Sequence, residues 1–594
     1  MWYKQKNTHT AKDGSPLKTL FSYLKRYRKE SILGPLFKLL EATLELIVPL
    51  LVARIIDRGI PSADTAFIVK ACIGLVLLGL IGLAFSLTAQ YFAAKAAVGC
   101  VRDLRGALFS HITTLSYSDI DCIGASTLIT RMSADAKQVQ TGLNLSLRLL
   151  LRSPFVVFGA MLMAFLVDAS AAVTFTVLIP ALAVAVFGIM LLSMPLYRKV
   201  QGHLDRVLLS VRENVNGARV VRAYGKEDEA SRAFSEQHTR LTHAEQRVGR
   251  LSALLNPLTY VLVNLATVWL LSIGAVRVDV GTLSVGQVVA LFNYMSQILV
   301  ELVKLADLIV SITRSIACAG RIEAVMRTES SLPVTDGPLP APIDGAPFIE
   351  FKGVSMRYPT AGEPSLSDIS FTAYRGETVG IIGGTGSGKS TLVHLLPRLY
   401  DAPAGEIRIE GHPIDTLPVV QHRARIGIVP QKAVLFRGTV RDNLAWGNPE
   451  ASDAAMEEAL AAAQILDSIN EKGGLSLVVQ QGGSNLSGGQ RQRMTIARAL
   501  VRRPDVLILD DASSALDYKT DADLRAAIRA LPYSPTVFIV SQRTVSLMHA
   551  DRILVLDEGE LVGCGTHEQL LATCDVYREI HESQFTHAKG GERA

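Results

Sequence analysis

A chain of 594 residues is too long for one hydrophobic core, so at least two domains are expected. Hydrophobic residues make up 49% and the mean hydropathy is +0.29, high for a soluble protein, with the excess lying before residue 325. A net charge of only +5 gives no support for a nucleic-acid partner, and Cys72, Cys100, Cys122, Cys318, Cys564 and Cys574 show no CxxC or metal-ligand spacing and read as reduced thiols.

Residues 1–30 are polar and hold no apolar core of a signal peptide, so the N-terminus is expected in the cytosol. Within 17–28, Leu17, Leu20, Phe21 and Leu24 fall at helical spacing with bases opposite, which fits a helix lying along the inner membrane interface or a plain solvated helix. Uncharged runs of about 20 residues are long enough to cross a bilayer. Runs 71–94, 251–276 and 280–300 each read as a span, and 153–167 and 169–197 read as two spans in a tight hairpin at Asp168. Run 33–55 is a sixth, interrupted by Lys38, Glu41 and Glu45. Bases cluster at Lys25, Arg26, Arg28, Lys29, Arg102, Arg105, Arg198 and Lys199 and are sparse near 61–65 and 279–284. That asymmetry places both termini and the connections 101–140 and 198–250 in the cytosol, the connections being helical extensions of the spans.

Ionisable residues inside spans are expensive and call for partners or function. Glu41 and Glu45 lie one turn apart and either pair with Arg148 and Arg152 or line a polar cavity for substrate. Glu301, Lys304 and Asp307 repeat every three residues, a spacing that allows internal pairing.

The five prolines of 333–347 end the helical pattern and read as an extended connector. From Phe348 onward short β-rich runs alternate with helical ones, as in an α/β domain. The apolar run 378–382 leads into Gly383, Gly384, Thr385, Gly386, Ser387, Gly388, Lys389 and Ser390 (GGTGSGKS), then into a helix-compatible stretch from Thr391 to Leu399. This strand–loop–helix context lets backbone N–H groups approach phosphates, Lys389 reach the β- and γ-phosphates, and the Ser390 hydroxyl reach Mg²⁺. Run 506–509 fits a buried parallel strand ending at Asp510, a carboxylate placed to hold the metal's water shell, followed by Asp511.

Leu486, Ser487, Gly488, Gly489 and Gln490 (LSGGQ), followed by the helical RQRMTIARAL, resemble the signature of ATP-binding cassette (ABC) proteins. Tyr358 resembles the aromatic that stacks on adenine, Gln431 the metal-sensing loop glutamine, and Ser514, Ala515, Leu516 and Asp517 (SALD) the dimer-contact loop. With the spans, residues 15–582 resemble an exporter-type half-transporter. The implied fold is an all-α six-helix transmembrane domain of the type I exporter kind, followed by an α/β P-loop nucleotide-binding domain. The implied domains are a membrane domain over 1–325, a linker over 326–347, a nucleotide-binding domain over 348–582 and a flexible tail over 583–594. The implied setting is a bacterial cytoplasmic membrane, with ATP and Mg²⁺ bound in the cytosol. Two such chains would close head to tail around two ATP molecules, each held by one chain's phosphate loop and the other's signature. Cytosolic ends near 116–126 and 214–229 would transmit closure to the spans.

Two positions depart from the resemblance. Asp511 stands where hydrolysing members carry a Glu, and one missing methylene sets its carboxylate back by about 1–1.5 Å. Gln542 stands where a His is usual and cannot act as an imidazole does. Gln481 also replaces a usual Glu. With the signature intact, the implied arrangement is a heterodimer. This chain's site would be slow, and its signature would complete the competent site of a partner carrying Glu and His. The expected cargo is an amphipathic small molecule, as in multidrug efflux, and Glu41 and Glu45 facing a cavity would favour cations. Alternatives are a homodimer moving lipid, peptide or siderophore, import of metal chelates, and an ATP-binding membrane sensor. No peptidase-like domain precedes the spans, which speaks against processing-coupled peptide export.

Overall fold

The computed structural model describes residues 16–332, 337–359 and 361–590. The expected cytosolic segment 1–15, the start of the proline-rich linker at 333–336 and the tail residues 591–594 lie outside the described residues. The chain divides into two compact units. One takes the chain up to Thr113 together with Ser126–Arg327, and the other takes Thr114–Ala125 together with the chain from Thr328 onward.

The first unit is helical throughout. Helix α1 (Pro16–Leu24) runs through a 3₁₀ turn at Lys25–Tyr27 into α2 (Arg28–Arg54), so the proposed interfacial segment is a helix set off from the first span. Then come α3 (Thr65–Ile112), α4 (Tyr117–Ile123, part of the second unit), α5 (Ala125–Thr130), α6 (Ala136–Leu149), α7 (Arg152–Val167) and α8 (Ala169–Asn216). The series continues with α9 (Ala218–Ala223), α10 (Glu227–Ala253), α11 (Leu255–Asp279) and α12 (Val285–Arg327).

Four helical stretches among the described residues, Thr65–Ile112, Ala125–Val167, Ala169–Asn216 and Glu227–Asp279, are long and apolar enough to cross a membrane. The first expected span lies in the helix α2, whereas the sixth, expected over 280–300, is helical only from Val285, the start of α12, because 280–284 form the turn that follows α11. A 48-residue helix such as α3 or α8 reaches about 72 Å, over twice the hydrocarbon thickness, so each carries its span well past the bilayer.

Small residues let these helices approach closely, since lipid gives no hydrophobic drive for helices to associate. Ala42, Ala89, Ala93, Ala96 and Ala97 are wholly buried. A Cβ at Gly142 would meet the Ser315 side chain at 2.3 Å, so α6 and α12 touch only because Gly142 lacks one. At one end of the bundle, Asp57 accepts from the backbone N–H of Gly286 at 2.7 Å and fixes the start of α12. Asp168 alone separates α7 from α8. It caps α8 by accepting from Ala171 N–H at 2.7 Å and pairs with Arg277 at 2.8 Å, confirming the expected hairpin.

The second unit contains two main sheets. The first is antiparallel, in the order β2 (Leu366–Ala373), β1 (Ile349–Met356), β4 (Ala404–Ile409), β5 (His412–Pro413). The second has six strands, in the order β12 (Glu560–Gly565), β11 (Arg552–Asp557), β3 (Thr378–Gly383), β10 (Thr536–Val540), β9 (Val506–Asp510), β6 (Ile426–Val429). All neighbours in it are parallel except β11 and β12. A short pair, β7 (Gly438–Thr439) and β8 (Val478–Val479), stands apart. Every residue of β9 is buried, as a strand covered on both faces requires. The helices are α13 (Lys389–Leu395), α14 (Val419–Ala424), α15 (Val440–Ala445), α16 (Asp453–Ala462), α17 (Leu466–Asn470), α18 (Gly488–Leu500), α19 (Tyr518–Arg529), α20 (His567–Thr573) and α21 (Asp575–Gly590).

Candidate functional site

Parallel pairing puts the C-terminal ends of β3, β9 and β10 side by side, and the candidate residues follow those ends. After β3 the loop Gly383–Gly388 turns into α13. Gly383 and Gly388 have positive φ, and a Cβ on either would strike a backbone oxygen, Leu556 O at 2.0 Å or Ser365 O at 2.4 Å. A Cβ on Gly384 or Gly386 would meet nothing within 4 Å, so that side of the loop is open to a ligand. Gly384, Thr385 and Gly386 are exposed there, while Ser387 is buried. Lys389 is buried and curls back to donate to Gly383 O at 3.0 Å, to Gly384 O, and to Ser387 Oγ at 3.3 Å. Burial holds its ammonium below the usual lysine pKa, although Asp511 and Asp510 act in the opposite sense. A cation whose hydrogen bonds go to loop carbonyls and a hydroxyl is well placed to exchange them for phosphate oxygens.

Ser390 donates its hydroxyl to Asp510 Oδ1 at 2.8 Å, which joins the loop to the end of β9. Residue 394 was not singled out in the sequence, yet His394 Nε2 lies 3.6 Å from Asp510 Oδ2, one turn along α13 from Ser390. Burial lowers the His394 pKa. Thr391 is buried and accepts from the Tyr358 hydroxyl at 3.2 Å. Tyr358 also packs edge-on against Tyr400, centroids 5.1 Å apart, so the candidate adenine-stacking ring is braced from behind. Tyr400 in turn donates to Asp121 Oδ2 at 2.8 Å on α4, a link between distant positions that no local pattern reveals.

Asp511 sits just past β9 with φ +47°, a left-handed conformation that Asp tolerates better than most residues. Its carboxylate is 3.5 Å from Gln431 Nε2, a marginal hydrogen bond. Burial and then the Asp510 charge push its pKa up, while the Gln431 contact, Arg543 and Lys389 pull it down. Ser390, Gln431 and Asp510 present hydroxyl, amide and carboxylate oxygens, the donor types a hard divalent cation takes, so the residues fit Mg²⁺.

Leu486 is buried, and Ser487 caps α18 in a reciprocal box: Gln490 N–H donates to Ser487 Oγ at 3.2 Å, and Ser487 N–H to Gln490 Oε1 at 3.0 Å. Gly488 has open space where a Cβ would stand, and the site of a Cβ on Gly489 lies 3.2 Å from Ala515 O. The signature therefore adjoins the SALD loop, where Ser514 donates to Asp511 O at 2.9 Å, Leu516 is buried and Asp517 caps α19. Gln542 follows β10 with its side chain exposed. Gln481 lies in a 3₁₀ turn, Gln481–Gly483, before the signature.

The membrane unit resolves the other candidates. Glu41 Oε2 pairs with Lys38 at 2.5 Å, and Glu45 Oε2 pairs with Arg152 at 2.6 Å. Arg152 also binds Glu301 at 2.5 Å, and Glu301 takes Ser153 Oγ at 2.9 Å and Lys304 at 3.0 Å. Arg148 pairs with neither Glu41 nor Glu45, and Asp307 takes no part in the sixth-span pairing. Of the two roles open to Glu41 and Glu45, pairing is present. Glu45 nonetheless keeps 43% of its side chain exposed.

Comparison with known proteins matches residues 31–302 to the ABC transporter transmembrane region and residues 366–514 to the ABC transporter family. An uncharacterised ABC transporter ATP-binding protein of Mycobacterium tuberculosis is 37% identical over 581 residues, covering 97% of this chain and 99% of that protein. A probable multidrug resistance ABC transporter ATP-binding/permease protein of Bacillus subtilis is 33% identical, covering 98% of this chain and all of its own length. An ATP-dependent lipid A-core flippase of Hahella chejuensis is 31% identical over 84% of this chain and 85% of its own. The structure of a bacterial Atm1-family ABC exporter with ATP bound superposes with a TM-score of 0.77 at 25% identity, covering 93% of this chain and 97% of that one. The chain belongs to the ABC transporter family and is an integral membrane exporter of the type I fold that couples ATP hydrolysis to transport.

Proposed function

We propose that this chain is one half of a heterodimeric exporter of amphipathic small molecules, with a slow ATP site of its own and an intact signature serving its partner. One observation carries the reading. Asp511 and Gln542 follow adjacent parallel strands at the open face of the phosphate loop, and both are altered, while Ser487 and its capping box are intact.

ATP binds with its phosphates against Gly384, Thr385, Gly386 and Lys389, which gives up its loop carbonyls for phosphate oxygens. Tyr358 stacks on the adenine. Ser390, Gln431 and Asp510 would hold Mg²⁺, which would offset charge on the phosphate oxygens. Asp511 is the residue next in line to orient the attacking water. Its shorter side chain, set back by about 1–1.5 Å, is expected to slow hydrolysis by about 10²-fold relative to a Glu. Gln542 can donate a hydrogen bond to the γ-phosphate but cannot carry a proton as imidazole does. Leu486, Ser487, Gly488, Gly489 and Gln490 face the partner's ATP, and Ser514, Ala515, Leu516 and Asp517 meet the partner's matching loop.

The test is to purify the tagged chain from its native membrane in mild detergent and identify what stays bound in stoichiometric amount. A second six-span chain with Glu and His at the matching positions is the expected result. Recovery of this chain alone, as a dimer, sinks the asymmetric reading and leaves Asp511 and Gln542 to support hydrolysis.

A further inference from the structure

The C-terminal helix α21 grips residues 542–544 from outside the nucleotide loop. Gln584 on α21 donates through Nε2 to the carbonyl of Gln542 at 2.7 Å. Its Oε1 accepts from the Thr544 N–H at 3.0 Å and from the Thr544 hydroxyl at 3.0 Å. One side-chain amide thus satisfies the backbone on both sides of residue 543, as a neighbouring strand would. His581, one turn earlier on α21, has Nδ1 3.3 Å from the same Thr544 hydroxyl.

The helix is a firm support for this grip. Tyr577 is fully buried in a cluster with Ile382, Leu547, Ile553, Val555 and Leu570, directly under the strand that ends in the phosphate loop. The His567 ring nitrogen Nδ1 lies 2.7 Å from the Tyr577 hydroxyl. On its inner side the segment is tied to β3, since Ser541 N–H donates to Ile381 O at 3.1 Å. Between these ties Gln542 has an exposed side chain that departs from a backbone held on both sides. A long side chain aimed at a ligand loses less entropy on binding when its backbone is already fixed.

We infer that Gln584 is a positioning residue that holds Gln542 toward the γ-phosphate, so that the C-terminal helix sets this site's preference for ATP over ADP. The inference rests on the proposed placement of Gln542 beside the γ-phosphate. Since only ATP has that phosphate, loosening the grip weakens ATP and leaves ADP untouched. An element that merely stabilises the fold would weaken both.

The experiment uses the full chain, purified with whatever subunit accompanies it. Photolabelling with 8-azido-ATP is read on this chain's own band, and competition by ATP and by ADP gives the ratio of their affinities. Gln542→Ala is expected to lower the ATP-to-ADP preference, and Gln584→Ala to lower it by about tenfold at unchanged ADP affinity, the scale of a hydrogen bond to a charged group. Gln584→Glu, nearly the same size, loses the donor to the Gln542 carbonyl and is expected to behave alike while keeping α21 docked through Tyr577. Gln542→Ala with Gln584→Ala should be no worse than Gln542→Ala alone. Equal weakening of ATP and ADP by both Gln584 variants, or additive effects in the double variant, overturns the inference. If Gln542→Ala leaves the ratio unchanged, the placement of Gln542 fails first and the inference with it.

Discussion

Two clusters of ionisable residues are partly withdrawn from water in this chain, and they are completed in different ways. In the membrane unit, Arg152 spends its guanidinium on Glu45 and Glu301, and Glu301 is further met by Lys304 and Ser153. Two acids and two bases close on one another. In the nucleotide site, Lys389 is met by loop carbonyls and a hydroxyl, and Asp511 by one side-chain contact at 3.5 Å. The first cluster meets its charges within the chain, although Arg152 Nε is buried without a hydrogen-bond partner. The second is left short of partners that a ligand brings, and burial there lowers its lysine pKa and raises its aspartate pKa.

The largest effect should come from breaking the finished cluster. Arg152→Met takes the shared base from Glu45 and leaves buried Glu301 with Lys304 and Ser153 alone, and removing one member of a buried pair costs about 3–5 kcal/mol. Thermal unfolding in detergent should show a large loss, recovered in good part when Glu45→Gln and Glu301→Gln are added. If Arg152→Met unfolds with the wild type, the cluster is not the self-contained unit described, and the contrast fails. The next effect lies in the unfinished site. Asp511→Glu with Gln542→His should raise hydrolysis at this chain's own site by about 10²-fold. That rate is best read in a Ser487→Arg background, which disables the signature serving the other site. No gain would mean that side-chain reach is not what limits the site.

The unfinished cluster was the more legible in the sequence. Its loop, signature and strand-end carboxylate lie in short contiguous runs, each with a local physical reason for its residue types. Strand β3 and strand β9 fall within a residue of the expected runs because a buried parallel strand is a continuous apolar run bounded by its functional end. The finished cluster was visible only as a set of charges. Nothing local to Glu45 says that Arg152, 107 residues away, is its partner while Arg148 is not. The grip of Gln584 on residues 542–544 and the link from Tyr400 to Asp121 were hidden for the same reason, since both are made by the fold between distant positions. Positions 41 and 45 were ambiguous because pairing and cavity lining demand the same residue type.

That ambiguity gives a smaller prediction. Glu45 has one oxygen on Arg152 and a partly exposed side chain, whereas Glu41 is held by a nearly buried Lys38. If a cationic substrate is recognised here, Glu45→Gln should lower export of cationic dyes by about tenfold, the worth of one charged hydrogen bond. Glu41→Gln should do less. Unchanged export in both variants returns these residues to a purely structural role.

The smallest effect is a dependence on pH, and its sign follows from the unfinished state of the site. Burial raises the Asp511 pKa above its unfolded value. At low pH the group is protonated in both states and contributes nothing. As pH climbs past the ordinary carboxylate range, the unfolded chain ionises first, so the nucleotide-free fold loses stability until the raised folded pKa is also passed. Asp511→Asn has no such cost. Its unfolding temperature without nucleotide should match the wild type at the acid end and exceed it slightly towards neutral pH, the gap being small because the group is partly solvated. If the two proteins unfold together across the range, Asp511 is as fully compensated as Glu301. The site would then be a finished cluster too, and the difference between the two regions would lie in side-chain length alone.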